Sequence, residues 1–218
     1  METSHAPVRT FKMRRRVTTG QADALVRLLP AYGLDASQPW DSARAFGRVA
    51  PLVLEIGSGM GEATAAMAAA DPDRDVLAVE VHTPGLGNLL RLLESAALTN
   101  VRVLEADARE VLRDLLPPAT LDEVRVFFPD PWPKARHIKR RLVSGEFADL
   151  VASRLRPGGR LHVATDWRSY ADMAAAVLSE HPSYEVVSRE RGARPVTRFE
   201  QRGWDAGRNS YDLVVRKT

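Results

Sequence analysis

The chain alternates short apolar segments with amphipathic ones, and this alternation constrains the fold more than any other feature. Five segments rich in Val, Leu and Ile have the length of buried strands, and each is followed by a helical pattern. Parallel strands need such helical crossovers, whereas antiparallel neighbours need only short turns. The order therefore predicts a mostly parallel sheet with helices on both faces. The predicted strands span residues 52–57, 75–81, 101–107, 121–130 and 159–166.

Two further strands are predicted at the end of the chain, with no clear helical pattern between them. Segments 184–190 and 210–218 predict an antiparallel pair joined by a long connection. A connection of about 20 residues is typical of a functional loop or of a disordered segment. Ahead of the sheet, residues 19–30 predict an amphipathic helix that ends at Pro30.

The composition excludes several classes of chemistry. The 218 residues include no cysteine, which excludes disulfides, cysteine-based zinc sites and a thiol nucleophile. His82 and His137 lie in predicted loops without a partner at metal-ligand spacing, so no metal site is expected. No apolar run approaches the ~18 residues of a membrane span, and no secretory signal is visible. We therefore expect a cytoplasmic protein with no membrane partner.

The positive charge is concentrated in two short segments. Residues 9–16 and 134–141 each hold five Lys or Arg and no acid, whereas the rest of the chain holds 21 basic and 28 acidic residues. A mildly acidic body with two basic segments is typical of a protein that binds a polyanion at defined places. Residues 1–18 predict a flexible basic arm, and residues 19–218 predict a single domain.

A glycine-rich loop follows the first predicted strand and opens a helix. Its glycines are Gly57, Gly59 and Gly61, and Glu55 precedes them. Glycines at such a turn permit close approach of a ligand to the backbone. The sixth position counted from Gly57 is Glu62, so the dinucleotide fingerprint G-x-G-x-x-G is absent. An acid beside the loop would repel a pyrophosphate and attract a cation.

Two more acids end the next two predicted strands. Glu80 is placed to accept both hydroxyls of a ribose, and Asp107 to accept an amino group from an adenine edge. With these acids the chain resembles the class I S-adenosylmethionine-dependent methyltransferases. The resemblance implies an α/β, Rossmann-like three-layer fold. Its sheet would be mostly parallel and seven-stranded, with an antiparallel C-terminal strand.

A stiff, proline-rich turn follows the fourth predicted strand. It reads Pro129-Asp130-Pro131-Trp132-Pro133-Lys134 and continues directly into the second basic segment. Such stiffness matters where an attacked group must be held in line with a methyl donor. This turn, together with Thr197-Arg198-Phe199-Glu200, closely resembles the bacterial tRNA (guanine-N7)-methyltransferases. The resemblance extends from about residue 9 to about residue 214.

The resemblance implies a site and a partner. S-adenosylmethionine would be held by Glu55, Gly57, Gly59, Gly61, Glu80, Asp107 and Asp130, and Asp130 would also be catalytic. The substrate would contact Lys134, Asp166, Thr197, Arg198, Phe199 and Glu200. RNA would contact Arg14, Arg15, Arg16, Arg136, His137, Lys139, Arg140 and Arg141. The implied partner is tRNA, bound by a monomer or a homodimer. Residues 189–196 look shorter than in some relatives, which leaves open how the Thr197–Glu200 segment approaches the pocket.

Three alternatives stay open on the sequence alone. A methyltransferase of the same fold could act on another substrate, such as rRNA. A nicotinamide-dependent dehydrogenase is disfavoured by Glu62 at the position of the third fingerprint glycine. A non-catalytic RNA-binding module would not need the acids at four strand ends.

Overall fold

A computed structural model describes residues 16–218. Local capping starts the first helix, because Thr18 and Gln21 each accept a hydrogen bond from the other's backbone N–H. The elements in chain order are α1 (Thr19–Tyr32), α2 (Ser42–Phe46), β1 (Leu52–Ile56), α3 (Glu62–Ala70), β2 (Asp75–Glu80), α4 (Thr83–Ser95), β3 (Val101–Glu105), α5 (Ala108–Glu110) with a π-helical turn (Val111–Leu115), β4 (Leu121–Phe127), a 3-10 helix (Ala135–Arg140), α6 (Gly145–Arg154), β5 (Leu155–Thr165), α7 (Arg168–Ser179), β6 (Tyr184–Ser188), α8 (Arg198–Asp205) and β7 (Tyr211–Lys217).

The seven strands form one sheet in the order β3-β2-β1-β4-β5-β7-β6. Strands β1 to β5 are parallel to one another. Strand β7 is inserted between β5 and β6 and is antiparallel to both. This topology confirms the predicted mostly parallel sheet with an antiparallel C-terminal strand.

Two apolar cores lie on opposite faces of the sheet and produce the predicted three layers. The larger core joins the sheet to α6, α7 and the π-helical turn through side chains such as Phe147, Leu178 and Leu112. The smaller core joins β1–β3 to α1, α3 and α4, with Leu28 and Leu89 among its members. Strands β1 and β2 are buried on both faces, as expected for parallel strands between two layers of helices.

Strand boundaries differ from the prediction on both sides of the candidate site. Strand β4 ends at Phe127 rather than at residue 130, because Phe128 has a left-handed backbone and Pro129 follows it. Strand β5 begins at Leu155 rather than at residue 159. An irregular pairing with β4 accommodates the additional residues, since the register shifts between Leu121 and Glu123.

Two helical predictions were wrong or incomplete. Helix α1 passes through Pro30 and ends two residues later at Tyr32; the proline removes the hydrogen bond to the carbonyl of Val26, an exposed residue. The long connection before β7 is not structureless, since it contains α8. Most of the predicted 1–18 arm lies outside the described residues.

Candidate active site

The carboxyl ends of the five parallel strands lie along one edge of the sheet. Strand β1 neighbours β4, while the helices α3 and α6 pack on opposite faces, so this edge carries the topological switch point. Glu55 lies near the end of β1, Glu80 ends β2, and Asp107 and Asp130 follow β3 and β4. Asp107 also caps α5, since its Oδ1 accepts the Arg109 N–H at 2.8 Å. The structure therefore brings the four predicted cofactor acids to one edge.

The glycine loop has the conformation that its composition predicts. Gly57, Gly59 and Gly61 have positive φ angles of 78°, 57° and 80°. A Cβ atom at Gly57 or Gly59 would meet no described atom within 4 Å, which leaves open space beside the loop. A Cβ at Gly61 would instead lie 2.7 Å from Leu89 Cβ on α4. Gly61 is thus a packing requirement, whereas the first two leave room for a ligand.

Glu80 anchors the glycine loop from the neighbouring strand. Its Oε2 accepts the Gly59 N–H at 2.7 Å, and its Oε1 accepts the N–H groups of Val81 and His82 at 2.7 and 2.9 Å. A carboxylate has about four lone-pair sites. Glu80 can therefore hold the loop and still accept a ligand hydroxyl, so its predicted cofactor contact stays a prediction.

Glu55 is a buried acid with one unused oxygen. Its Oε1 accepts the Thr64 hydroxyl at 2.9 Å, while Oε2 and the hydroxyl of Ser58 have no hydrogen-bond partner within residues 16–218. Burial raises the pKa of Glu55, and the nearby Arg125 cation on β4 opposes that rise. An orphaned carboxylate oxygen beside an open glycine loop fits a ligand that brings an ammonium group. The amino group of S-adenosylmethionine meets that requirement.

The turn after β4 is held in an unusual conformation. Phe128 and Trp132, which flank Asp130, have φ angles of 52° and 43°. A non-glycine residue in this region costs about 1–3 kcal/mol and persists only where its surroundings impose it. The Phe128 N–H donates to the Ala164 carbonyl of β5 at 2.7 Å, which fixes the start of the turn. Asp130 is exposed on this rigid turn.

The other predicted substrate residues near this turn differ in their exposure and in their contacts. Lys134 is exposed at the start of the 3-10 helix. Asp166 follows β5 and accepts the Arg208 Nε–H at 2.7 Å. Phe199 is half exposed, and its ring centroid lies 5.3 Å from that of Phe128. The Phe128–Phe199 contact brings the start of α8 to the turn after β4.

The Thr197–Glu200 segment forms the first turn of α8. The Thr197 hydroxyl accepts the Glu200 N–H at 3.2 Å and caps the helix. Arg198 is exposed and pairs with Glu62 of α3 at 3.2 Å. Because α3 follows the glycine loop, this ion pair joins α8 to the cofactor half of the edge.

Glu200 belongs to a buried ion network that sequence reasoning did not find. Its side chain is 0% exposed, and both of its oxygens accept hydrogen bonds from Arg191 and Arg194 at 2.6–3.0 Å. Burial alone would raise the pKa of Glu200, but the two guanidinium groups lower it to about 2. The structure places Glu200 in the interior, where it anchors α8; its predicted substrate contact stays a prediction.

The predicted RNA contacts lie partly on an exposed basic surface. Arg136 and Lys139 of the 3-10 helix are exposed, and so is Arg16. Arg14 and Arg15 lie outside the described residues. The exposed side chains can reach phosphates without desolvating a buried partner.

Two other members of this basic segment pack around one tryptophan. The Arg140 guanidinium lies 4.9 Å from the Trp132 ring centroid. The ring centroids of His137 and Trp132 lie 5.7 Å apart in a T-shaped arrangement. Partial desolvation and the cations Arg140, Arg136 and Lys134 lower the pKa of His137. The neighbouring cations therefore disfavour the charged form of His137 in the protein without RNA.

Arg141 differs from the exposed members of the basic segment, and its predicted contact with RNA stays a prediction. It is 4% exposed and donates to the carbonyls of Pro131 and Ser169 at 2.9 and 3.0 Å. Its guanidinium also lies 5.0 Å from the Tyr170 ring centroid. Because its side chain is buried and its donors are used by the carbonyls of Pro131 and Ser169, Arg141 holds the turn after β4 and does not face solvent.

Two cavities of the described chain lie away from this edge. One of about 390 Å³ is lined by Pro51, Arg74, Glu123 and Gly158 at the opposite ends of the strands. The other, about 360 Å³, lies beside the end of α1. The candidate site is therefore identified by its acids, its glycine loop and its place at the carboxyl edge of the sheet, and not by either cavity.

Residues 16–218 contain no group of three His, Asp or Glu side chains that could hold a metal ion. None of the helices described for these residues is both long enough and apolar enough to cross a membrane.

Comparisons with known proteins agree with this arrangement. A protein-family model described as "Putative methyltransferase" matches residues 49–213. The chain is 54% identical to a tRNA (guanine-N(7)-)-methyltransferase of Streptomyces avermitilis, over 96% of this chain and 75% of that protein. It is 50% identical to the enzyme of the same name from Nitrosospira multiformis, over 98% and 96% of the two chains.

Solved structures with a similar fold are more distant in sequence. The 16S rRNA methyltransferase KamB superimposes with a TM-score of 0.59 at 18% identity, covering 83% of this chain and 95% of KamB. TrmN from Thermus thermophilus gives a TM-score of 0.55 at 20% identity, covering 81% of this chain and 47% of that one. These similarities show the Rossmann-like methyltransferase fold.

Proposed function

The chain belongs to the tRNA (guanine-N(7)-)-methyltransferase family, and we propose that it methylates N7 of a guanine in the variable loop of tRNA. It is a methyltransferase whose cofactor is S-adenosylmethionine. The choice of the variable loop comes from the family resemblance. The observation that carries the assignment of the reacting site is the strained, proline-rich turn that holds Asp130 at the switch-point edge.

The reaction needs orientation and charge stabilisation more than acid–base chemistry. Guanine N7 carries an in-plane lone pair and no proton, so no base has to remove a proton before attack. Bound S-adenosylmethionine supplies a methyl group on a positively charged sulfur. The methylated base gains positive charge, and a preorganised carboxylate stabilises that charge as it develops. We assign this role to Asp130.

The remaining acids would hold the cofactor. The orphaned Oε2 of Glu55 would accept its amino group. Glu80 would accept a ribose hydroxyl while anchoring the loop, and Asp107 would accept the adenine amino group. Open space beside Gly57 and Gly59 leaves room for these contacts.

The basic residues would bind and orient RNA. Lys134 would donate to guanine O6 or to a phosphate. Arg136 and Lys139 are exposed and would neutralise phosphates, which gives affinity without sequence preference. We propose that the protein works in the cytoplasm as a monomer or a homodimer.

The test uses methyl-labelled S-adenosylmethionine and unmodified tRNA transcripts, followed by mapping of the labelled nucleoside. Label in 7-methylguanosine of the variable loop is expected. The Asp130→Asn variant should lose roughly 10²–10³-fold in single-turnover rate, the cost typical of one preorganised group, and should keep its tRNA affinity. The matched control is Asp114→Asn, an exposed acid in the π-helical turn.

Three outcomes would contradict parts of this proposal. Equal losses of rate and tRNA affinity in Asp130→Asn would remove the charge-stabilising role. No label from the wild-type protein, with retained S-adenosylhomocysteine binding, would move the substrate to another RNA. Loss of cofactor binding as well would favour a non-catalytic RNA-binding module.

A further inference from the structure

A buried arginine outside every predicted motif links α8 to strand β7. Arg194 is 2% exposed and lies in the connection that precedes α8. Its Nη1 and Nη2 donate to the two oxygens of Glu200 at 2.8 and 3.0 Å. Its Nε and Nη2 donate to the two oxygens of Asp212 at 2.9 and 2.8 Å. The guanidinium therefore forms two forked pairs with carboxylates from two different elements.

The same guanidinium also lies against the turn that carries Asp130. Its central carbon is 5.5 Å from the ring centroid of Phe127 and 5.0 Å from that of Phe128. Phe128 is one of the residues with a left-handed backbone, and only Pro129 separates it from Asp130. A contact on the Phe128 ring thus acts directly on the residue that shapes the turn.

The two carboxylates are themselves fixed to the rest of the fold. Asp212 Oδ1 accepts a hydrogen bond from His162 Nε2 of β5 at 2.8 Å. Glu200 also forms an ion pair with a second guanidinium, that of Arg191. Burial alone would raise the pKa of Asp212, but His162 and Arg194 lower it to about 2. Both carboxylates are therefore ionised at neutral pH, and Arg194 is held rigidly between them.

We propose that Arg194 is a positioning residue for methyl transfer. It fixes the turn that carries Asp130 relative to the Thr197–Glu200 end of α8, so that the charge-stabilising group and the substrate-facing segment keep one geometry. The planar guanidinium supplies both the forked hydrogen bonds and the flat surface that packs on Phe128, and a lysine supplies neither. This inference deepens the proposed function and rests on it.

The test compares Arg194→Lys with Arg191→Lys. Both variants keep a positive charge near Glu200, but only the first removes the contact with Phe128. Arg194→Lys should lower the single-turnover rate by about tenfold to a hundredfold, the cost of a misplacement near 1 Å. It should leave the affinities for tRNA and S-adenosylhomocysteine unchanged. Arg191→Lys should change the rate much less.

Hydrogen exchange provides a second readout that needs no tRNA. The amides of Phe128, Asp130, Trp132 and Lys134 should exchange faster in Arg194→Lys, whereas those of β1–β3 should not change. Wild-type exchange and rate in this variant would overturn the proposal. An inactive wild-type protein would instead refute the proposed function, and the exchange comparison would still test the positioning.

A neutral variant covers the case in which Arg194→Lys does not fold. Arg194→Met combined with Glu200→Gln and Asp212→Asn removes the buried cation and both buried carboxylate charges together. Arg191 is the one guanidinium partner of Glu200 that keeps its charge, and its side chain is 28% exposed. It should show the same faster exchange in the turn, a readout that does not depend on the predicted substrate contact of Glu200. Failure of both variants to fold would overturn the proposal in favour of a purely structural role.

Discussion

Replacing Gly61 by alanine tests the packing between the glycine loop and α4. The new Cβ would lie 2.7 Å from both Cβ and Cδ1 of Leu89 and 2.8 Å from its Cα, distances that require backbone movement. Gly61 also has a φ of 80°, which an L residue rarely adopts. The left-handed backbone costs about 1–2 kcal/mol and overpacking about 1–3 kcal/mol, so Gly61→Ala should destabilise the fold by about 2–5 kcal/mol.

Gly57→Ala is the matched control, because only the backbone cost applies there. Gly57 has a φ of 78°, but its new methyl group would meet no described atom within 4 Å. The expected loss of stability is about 1–2 kcal/mol. The same methyl group would enter the space assigned to the cofactor, so this variant should bind S-adenosylhomocysteine more weakly.

Urea denaturation of both variants measures the difference in unfolding free energy, and calorimetric titration measures cofactor-product affinity. Thermal unfolding provides a check at roughly 2–4 °C for each kcal/mol in a chain of this size. Gly61→Ala should be the less stable variant. If Gly57→Ala lost as much stability as Gly61→Ala, the close contact between the loop and α4 would not be what makes Gly61 necessary.

Three further predictions follow from the charges of the site. Burial raises the pKa of Glu55, and an ammonium ligand needs its carboxylate form. The affinity for S-adenosylhomocysteine, measured by calorimetric titration, should therefore fall as pH drops through that raised pKa. The Glu55→Gln variant should bind weakly, and its affinity should not change with pH. Glu200 and Asp212, with folded pKa values of about 2, stabilise the fold above their unfolded pKa values, so unfolding free energy measured in urea should fall as pH drops from about 5 towards 2. A profile that stayed flat over this range would count against the buried network. Neutralising Arg136 or Lys139 should each reduce the magnitude of the log–log salt slope of tRNA affinity by roughly 0.7–0.9, and an unchanged slope would show that the side chain contacts no phosphate.

The sequence alone determines the sheet and the edge at which the chemistry lies. Alternating buried strands and helical segments specify parallel pairing, and parallel pairing places the carboxyl ends of these strands along one edge of the sheet. Glu55, Glu80 and Asp107 follow from that geometry because each lies near a strand end. These features depend on local periodicity and on position within an element, which a single sequence displays directly.

The structure of the last connection was only partly accessible from the sequence. Thr197 precedes Glu200 by three residues, which is the spacing of a helix cap, and this signal could have predicted α8. We interpreted the same residues as a substrate motif, and their helical role was missed. The sequence likewise predicts that the first helix ends at Pro30, whereas α1 continues to Tyr32.

Only the tertiary structure decided which charged residues face solvent and which are buried. Arg136 and Arg141 belong to one basic segment, yet the first is exposed and the second is buried and donates to the carbonyls of Pro131 and Ser169. Arg194 has no distinguishing local pattern, and its two carboxylate partners lie 6 and 18 residues away along the chain. The role of a charged side chain depends on which partners the fold brings within hydrogen-bond distance. Those partners come from elements that are far apart in the sequence and meet only in the folded chain.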